Sequence, residues 1–247
     1  MRTSHLKLLI ILPVLSLACY TIDYLLFRNQ QDIENWILNS LGFVFIDVLL
    51  VTIILQDILE RRERASRLGK LNNLIGLFFT ECGLDLLEKF LSLNTEVKCE
   101  SCFAATTQWS AGDFDRAIDK VRSANTAIRA SPEDLEGVKN DLVNHRDFLV
   151  RMMESPNLFE HERFTDLMMA ILHLDEELKH RKNLYGLPRS DIEHLNNDCL
   201  RVFQLLVGEW LEHMKHLRQT YPYLYSLAVR INPLRPDPDP VVNIRPS

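Results

Sequence analysis

Apolar residues gather in two blocks near the start of the chain, Leu8–Phe27 and Trp36–Leu55, and beyond them thin out to a periodic stripe. Each block is close to the roughly 20 residues that a helix needs to cross about 30 Å of hydrocarbon. The linker Arg28–Asn35 sets one arginine against Asp32 and Glu34, whereas Arg2, Lys7 and the run Arg61-Arg62-Glu63-Arg64-Ala65-Ser66-Arg67-Leu68-Gly69-Lys70 are basic. Basic flanks are retained on the cytoplasmic side of a membrane. The pattern therefore predicts a two-helix transmembrane hairpin in the plasma membrane, both termini cytoplasmic and the linker outside. A secretory signal is the rival reading of the first block, and Leu15-Ser16-Leu17-Ala18-Cys19 faintly resembles a lipobox. The apolar run continues past Cys19 to Phe27, longer than a signal core of about 7–15 residues. An uncleaved hairpin is expected.

Past Leu55 no proline interrupts the chain, and Leu68, Leu71, Ile75, Phe78, Cys82, Leu86 and Phe90 recur at spacings of three and four. That is a helical stripe, predicting a juxtamembrane helix over 60–93 that continues the second span. Leu74–Phe79 is apolar almost all round and is expected to pack inside the domain or against a sister chain. Four longer helices follow: about Gly112 to Arg129, Pro132 to about Glu154, roughly Leu158 to Lys182, and Ser190 to about Thr220. Ser131-Pro132-Glu133-Asp134 supplies an N-cap serine, a proline at the first helical position and an acid three residues on; Ser190-Asp191-Ile192-Glu193 reads as a capping box. A short helix, Tyr223 to Ile231, closes the bundle. No alternating pattern stands out, so the fold class is all-α: a transmembrane hairpin (1–59), the juxtamembrane helix (60–93) and a cytoplasmic helical bundle (94–232). The stretch 94–110 reads as an irregular loop. The proline-rich tail, 233–247, is expected to be extended and disordered.

The chain has 247 residues, room for the hairpin and one further domain. A net charge of −6 argues against nucleic acid as a partner, because phosphate binding needs a basic surface. The five cysteines (19, 82, 99, 102 and 199) are expected to be reduced thiols.

Within the two blocks lie Asp23 and Asp47. A charged Asp at the centre of a span costs about 2.5–3.5 kcal/mol on insertion scales, so such residues usually have a partner or a task. Antiparallel pairing about the linker sets Asp23 level with Asn39 and Ser40, and Asp47 level with Ser16, each acid meeting a hydroxyl or amide across the hairpin. Structural pairing is one reading; oligomerisation or a cation path through an oligomer is the other. Arg61, Arg62, Arg64, Arg67 and Lys70 are placed to meet anionic lipid headgroups, or serve only to set topology.

In the bundle, Cys99 and Cys102 have the spacing of a metal or redox pair but lack a second pair and a helix to follow. Glu177 and His180 have the Glu-x-x-His spacing of di-iron bundles. Helical phase puts them, with His173, opposite the stripe of Phe164, Leu167, Ile171, Leu174 and Leu178, which reads as a solvated face. His213 falls at the centre of its own stripe, one turn from Glu209. His145 and Arg146 lie on or near a stripe, and Asp175 and Glu160 near a buried face. A paired structural network of these inward polar residues is expected, with a metal or ligand site built on His145, His213 and Glu209 as the alternative. No nucleophile motif and no phosphate loop is present, so no catalytic residue and no cofactor is assigned.

The pieces Leu71-Asn72-Asn73-Leu74-Ile75-Gly76-Leu77-Phe78-Phe79-Thr80-Glu81-Cys82-Gly83, Asn144-His145-Arg146-Asp147-Phe148-Leu149 and Tyr221-Pro222-Tyr223-Leu224-Tyr225-Ser226-Leu227-Ala228-Val229-Arg230 together resemble an uncharacterised prokaryotic group of two-span membrane proteins with a helical cytoplasmic domain. The resemblance covers about residues 5 to 232. It implies the same architecture and a prokaryotic inner membrane, and brings no activity with it. The reading that results is a non-enzymatic membrane scaffold or signalling protein, a homo-oligomer with a cytoplasmic protein partner. An oligomeric channel or transport accessory using the intramembrane acids is the first alternative; a metal- or ligand-binding bundle is the second.

Overall fold

A computed structural model describes residues 21, 22, 25, 30–93, 104–123, 127–156 and 158–242. Within these, the side chains of 30–50, 52, 53, 65 and 160 are left undescribed. The described residues form helices joined by loops, with no sheet among them. By internal contacts the chain divides into two units, Met1–Arg64 and Ala65–Ser247.

Helix α1 runs Gln30–Phe78 and takes in the second apolar block. It begins inside the expected linker, so Gln30 to Asn35 are helical rather than a turn. Among the described residues no helix is long and apolar enough to cross a membrane. The first block, with Ser16 and Asp23, lies almost wholly outside those residues, and so do the side chains of Asn39, Ser40 and Asp47.

The expected stripe is buried from Leu71 onward, through Ile75, Phe78, Cys82, Leu86 and Phe90, while Leu68 at its start is exposed. Leu77 is also exposed, so Leu74–Phe79 is covered on one side rather than all round. The helix is not uniform. A π-helical segment, Phe79–Gly83, follows α1 and leads directly into α2, Leu84–Ser92. Helix α3 is Ala111–Ser123, shorter than expected at its C-terminus, and α4 is Pro132–Met153. The Ser131 hydroxyl accepts the Asp134 N–H, and the Asp134 carboxylate accepts the Ser131 N–H, closing the expected capping box. A single 3₁₀ turn, Leu158–Glu160, precedes α5, Glu162–His180, in place of one continuous helix. His161 causes the break: extended at φ −118°, it caps α5 through its Nδ1, which accepts the Phe164 N–H at 3.1 Å.

Helix α6, Arg189–Thr220, is the central rod, packing on α2, α3, α5 and on the closing helix α7, Pro222–Arg230. Its N-terminus corrects the expectation. The cap position is Pro188, and no side-chain cap forms. Asp191 turns instead to Arg181, accepting from Nε at 2.8 Å and Nη2 at 2.7 Å. In the first part of the proline-rich tail, the stretch to Pro240 is tied back to the end of α7, while Val241 and Val242 are exposed. Leu234 is buried, and Arg230 Nε donates to the Pro240 carbonyl at 2.9 Å.

Candidate functional site

The π segment places Phe78 and Phe79 so that both rings enter the core, Phe78 against Phe164 and Phe79 against Trp210. A wider turn of this kind recurs at functional positions in helices. Here it borders a cavity of about 300 Å³ walled by α1, the π segment, α6 and α7. Phe79, Leu84, Trp210, Leu224 and Leu227 line it, with polar groups from Asn72, Thr80, His213 and His216. Such a volume, apolar with few polar groups, is that of a small-molecule pocket.

His213 forms part of the wall. Its ring lies nearly parallel to Phe79, 20° between planes and 5.4 Å between centroids, and is tilted against Trp210 at 5.9 Å. Gly76 leaves the space that the imidazole uses: a Cβ there would stand 3.3 Å from His213 Cε1. Burial, with a smaller push from His216, lowers the His213 pKa to about 4. At neutral pH the ring is therefore uncharged, with one nitrogen donating and one accepting. His216 also has a lowered pKa from burial, and its Nδ1 lies 3.3 Å from the Asn72 amide nitrogen.

His213 also borders a second, polar cavity of about 180 Å³, lined by Asn72, His161, Glu209, Glu212 and Lys215 among others. Glu209 is buried, and that burial raises its pKa to about 7 against the opposing pull of Arg163 and Arg122. The arrangement can seat an apolar molecule and offer it a neutral hydrogen-bonding ring. It contains no nucleophile with an adjacent base.

The expected polar network is not one network. Glu209 and His213 share the polar cavity. Arg146 on α4 pairs with buried Asp175 on α5 and, at 3.4 Å, with Glu176. His145 stands with Asp85 at 3.9 Å and takes the Asp141 carbonyl at 2.8 Å. The alternative set of His145, His213 and Glu209 is thus not assembled. Arg61, Arg62, Arg64, Arg67 and Lys70 are exposed, Arg61 in an ion pair with Asp57 at 2.9 Å. Cys99 and Cys102 lie outside the described residues, and the Glu160 side chain is undescribed. Glu177 and His180 do not converge: His180 turns to Glu176, while Glu177 meets Arg181 and approaches His173 and His194. Cys82 and Cys199 are buried free thiols whose pKa burial pushes up to about 12.

Comparison with known proteins agrees with the two-part division. Residues 2–59 match the family described as "MJ1433, N-terminal helical domain", and residues 67–230 match "Uncharacterized protein MJ1433, C-terminal helical domain". The chain is 39% identical over 224 residues to "Uncharacterized protein MJ1433" of Methanocaldococcus jannaschii, covering 91% of this chain and 90% of that one. No solved structure matches.

Proposed function

The chain belongs to the MJ1433 family, and from that premise we propose a non-enzymatic signalling scaffold, tethered to a prokaryotic inner membrane, whose helical domain takes a small apolar ligand. The cavity beside His213 carries this reading. Its walls come from the end of α1, from the π segment and from the two last helices, so an occupant touches both the helix that continues from the second apolar block and the closing helices of the bundle. The tether rests on Leu8–Phe27 and Trp36–Leu55, with Asp23 facing Ser40 and Asn39, and Asp47 facing Ser16, as the intramembrane contacts. The basic run 61–70 then meets headgroups. Exposed Leu77 and Tyr223, outside the cavity lining, are left for contact with a second copy or a cytoplasmic protein.

The test uses the full chain with a C-terminal epitope tag in bacterial cells. The expected result is retention in carbonate-washed membranes, with the tag protected from protease applied outside intact cells. Release by carbonate, or digestion from outside, overturns the tether. The ligand half is tested separately with a polarity-sensitive naphthalene probe in mild detergent. Saturable binding abolished by Gly76→Leu is expected; binding indifferent to that change overturns the pocket.

A further inference from the structure

Two helical repeats face one another where α5 crosses α6. His173 and Glu177 stand four residues apart on α5, and His194 and Asp198 four residues apart on α6, a spacing that stacks side chains on one helix face. The four approach as a ring. His194 Nε2 lies 3.3 Å from Asp198 Oδ2 and 3.8 Å from Glu177 Oε2. His173 Nε2 lies 3.7 Å from Asp198 Oδ2 and 4.0 Å from Glu177 Oε1.

Asp198 gives the ring its direction. Its side chain is 3% exposed, and Oδ1 pairs with Arg201 at 3.1 Å. Oδ2 is buried and accepts no hydrogen bond; both imidazole Nε2 atoms stand before it. Arg201 meets only one of the two oxygens, and a buried carboxylate oxygen left without a donor or cation is costly. Two half-exposed histidines, 48% and 50%, cover it and leave a path to solvent.

We propose that His173, His194 and Asp198 bind a divalent transition-metal ion, with Glu177 within reach as a fourth donor. Imidazole nitrogen with carboxylate oxygen suits zinc and its neighbours, not calcium or magnesium, which take oxygen. Among the described residues no three such side chains are already placed to hold an ion. A tetrahedral zinc with bonds of about 2.0–2.1 Å sets its donors roughly 3.4 Å apart. The 3.3 Å separation of His194 from Asp198 matches that edge, and the 3.7 Å separation of His173 from the same oxygen closes on it by about 0.3 Å through rotation of the half-exposed imidazole. Arg201 serves as the outer partner of the metal-binding carboxylate, the arrangement that orients ligands in known sites. Arg181, which holds Glu177 Oε2 at 2.6 Å, is the competitor, so three donors and an open fourth position form the resting set. The ion pins α5 to α6 independently of the cavity at His213.

The test is titration of the full chain, purified in mild detergent through a histidine-free tag, with Co²⁺ followed by its visible d–d bands and with Zn²⁺ by calorimetry. One ion per chain with the intense bands of tetrahedral cobalt is expected. His173→Gln and His194→Gln, both at half-exposed positions, each weaken binding at least about tenfold. Asp198→Asn does the same with helix content unchanged. His180→Gln, three residues beyond Glu177 and paired with Glu176 outside the cluster, leaves binding as it was. Absence of saturable binding overturns the proposal, as does binding that survives both histidine changes, which would place the ion elsewhere on the chain.

Discussion

The Phe79 ring and the His213 imidazole lie almost parallel across the seam between the π segment and α6, and Gly76 one turn back leaves room for that stack. The sizes of two opposed effects fix what a side chain at 76 does. Gly76→Ala gains about 1 kcal/mol of helix propensity, and its methyl needs His213 to yield only a few tenths of an ångström. Gly76→Val drives a second carbon into the ring and carries an overpacking penalty of about 1–3 kcal/mol. Thermal melts of the two variants should show Ala within about a degree or two of wild type and Val clearly lower.

Glu209 and His213 pull stability in opposite directions with pH. The Glu209 pKa is raised from 4.5 to about 7, so its contribution is full below about 4.5 and lost as pH rises through 7. The His213 pKa is lowered from 6.5 to about 4, so its contribution is full above 6.5 and lost as pH falls through 4. Burial is the first cause of both. Glu209→Gln should therefore melt higher than wild type at pH 8, by up to about 3 kcal/mol, and show little gain near pH 4. His213→Gln should flatten the acid limb between 6.5 and 4, whatever its constant offset from lost stacking. A Glu209→Gln benefit that is equal at both pH values would contradict the burial of a titrating carboxyl.

Arg146 and Asp175 tie α4 to α5. Asp175 is 2% exposed and Arg146 one-third exposed, which decides the ranking of variants. Arg146→Ala strands a buried carboxylate and is expected to destabilise by roughly 3 kcal/mol, the low end for a buried pair. Asp175→Asn keeps the volume and leaves Arg146 its second partner, Glu176, so about 1–2 kcal/mol is expected. Urea melts giving the reverse order would mean that the arginine, not the acid, is the strained member.

Much of the bundle was legible from residue spacing, because burial imposes a period. Leu195, Cys199, Val202, Leu206, Trp210 and Leu217 are all buried on α6, and His213 sits among them as its position in the stripe requires. The Ser131 cap was legible because both halves of the reciprocal bond are local. The false cap at Ser190 failed because Asp191 had a stronger partner, Arg181, that no local pattern reveals. The π segment left a trace that went unused: Phe78, Cys82, Leu86 and Phe90 are each four apart. Three such steps overrun a 3.6-residue turn by about 40° each, and a wider turn takes up the drift. The ring of His173, Glu177, His194 and Asp198 was missed for another reason. Phase on α5 alone puts His173 opposite the core, and only the crossing with α6 turns that flank into an interface.

Asn232 gives the last expectation, on how the tail is held. Its side-chain oxygen accepts the Trp210 indole N–H at 2.9 Å and the Leu234 N–H at 3.2 Å, and the residue is fully buried. One acceptor thus fixes both the cavity wall and the chain leaving α7. Asn232→Ala leaves two buried donors without a partner, at about 1–3 kcal/mol for each one that water does not reach. Asn232→Asp keeps the acceptor but buries a charge, so its deficit should be large at pH 8 and shrink as the carboxyl takes a proton in acid. Trypsin reads the outcome at the Arg230–Ile231 bond, since Arg235 is followed by proline; Arg230 Nη1 is otherwise engaged with the Ser226 carbonyl at 3.1 Å. Cleavage there should be faster in Asn232→Ala at every pH and faster in Asn232→Asp only toward neutral and alkaline pH. Equal rates in all three chains would show that Leu234, through its burial alone, is what keeps the tail in place.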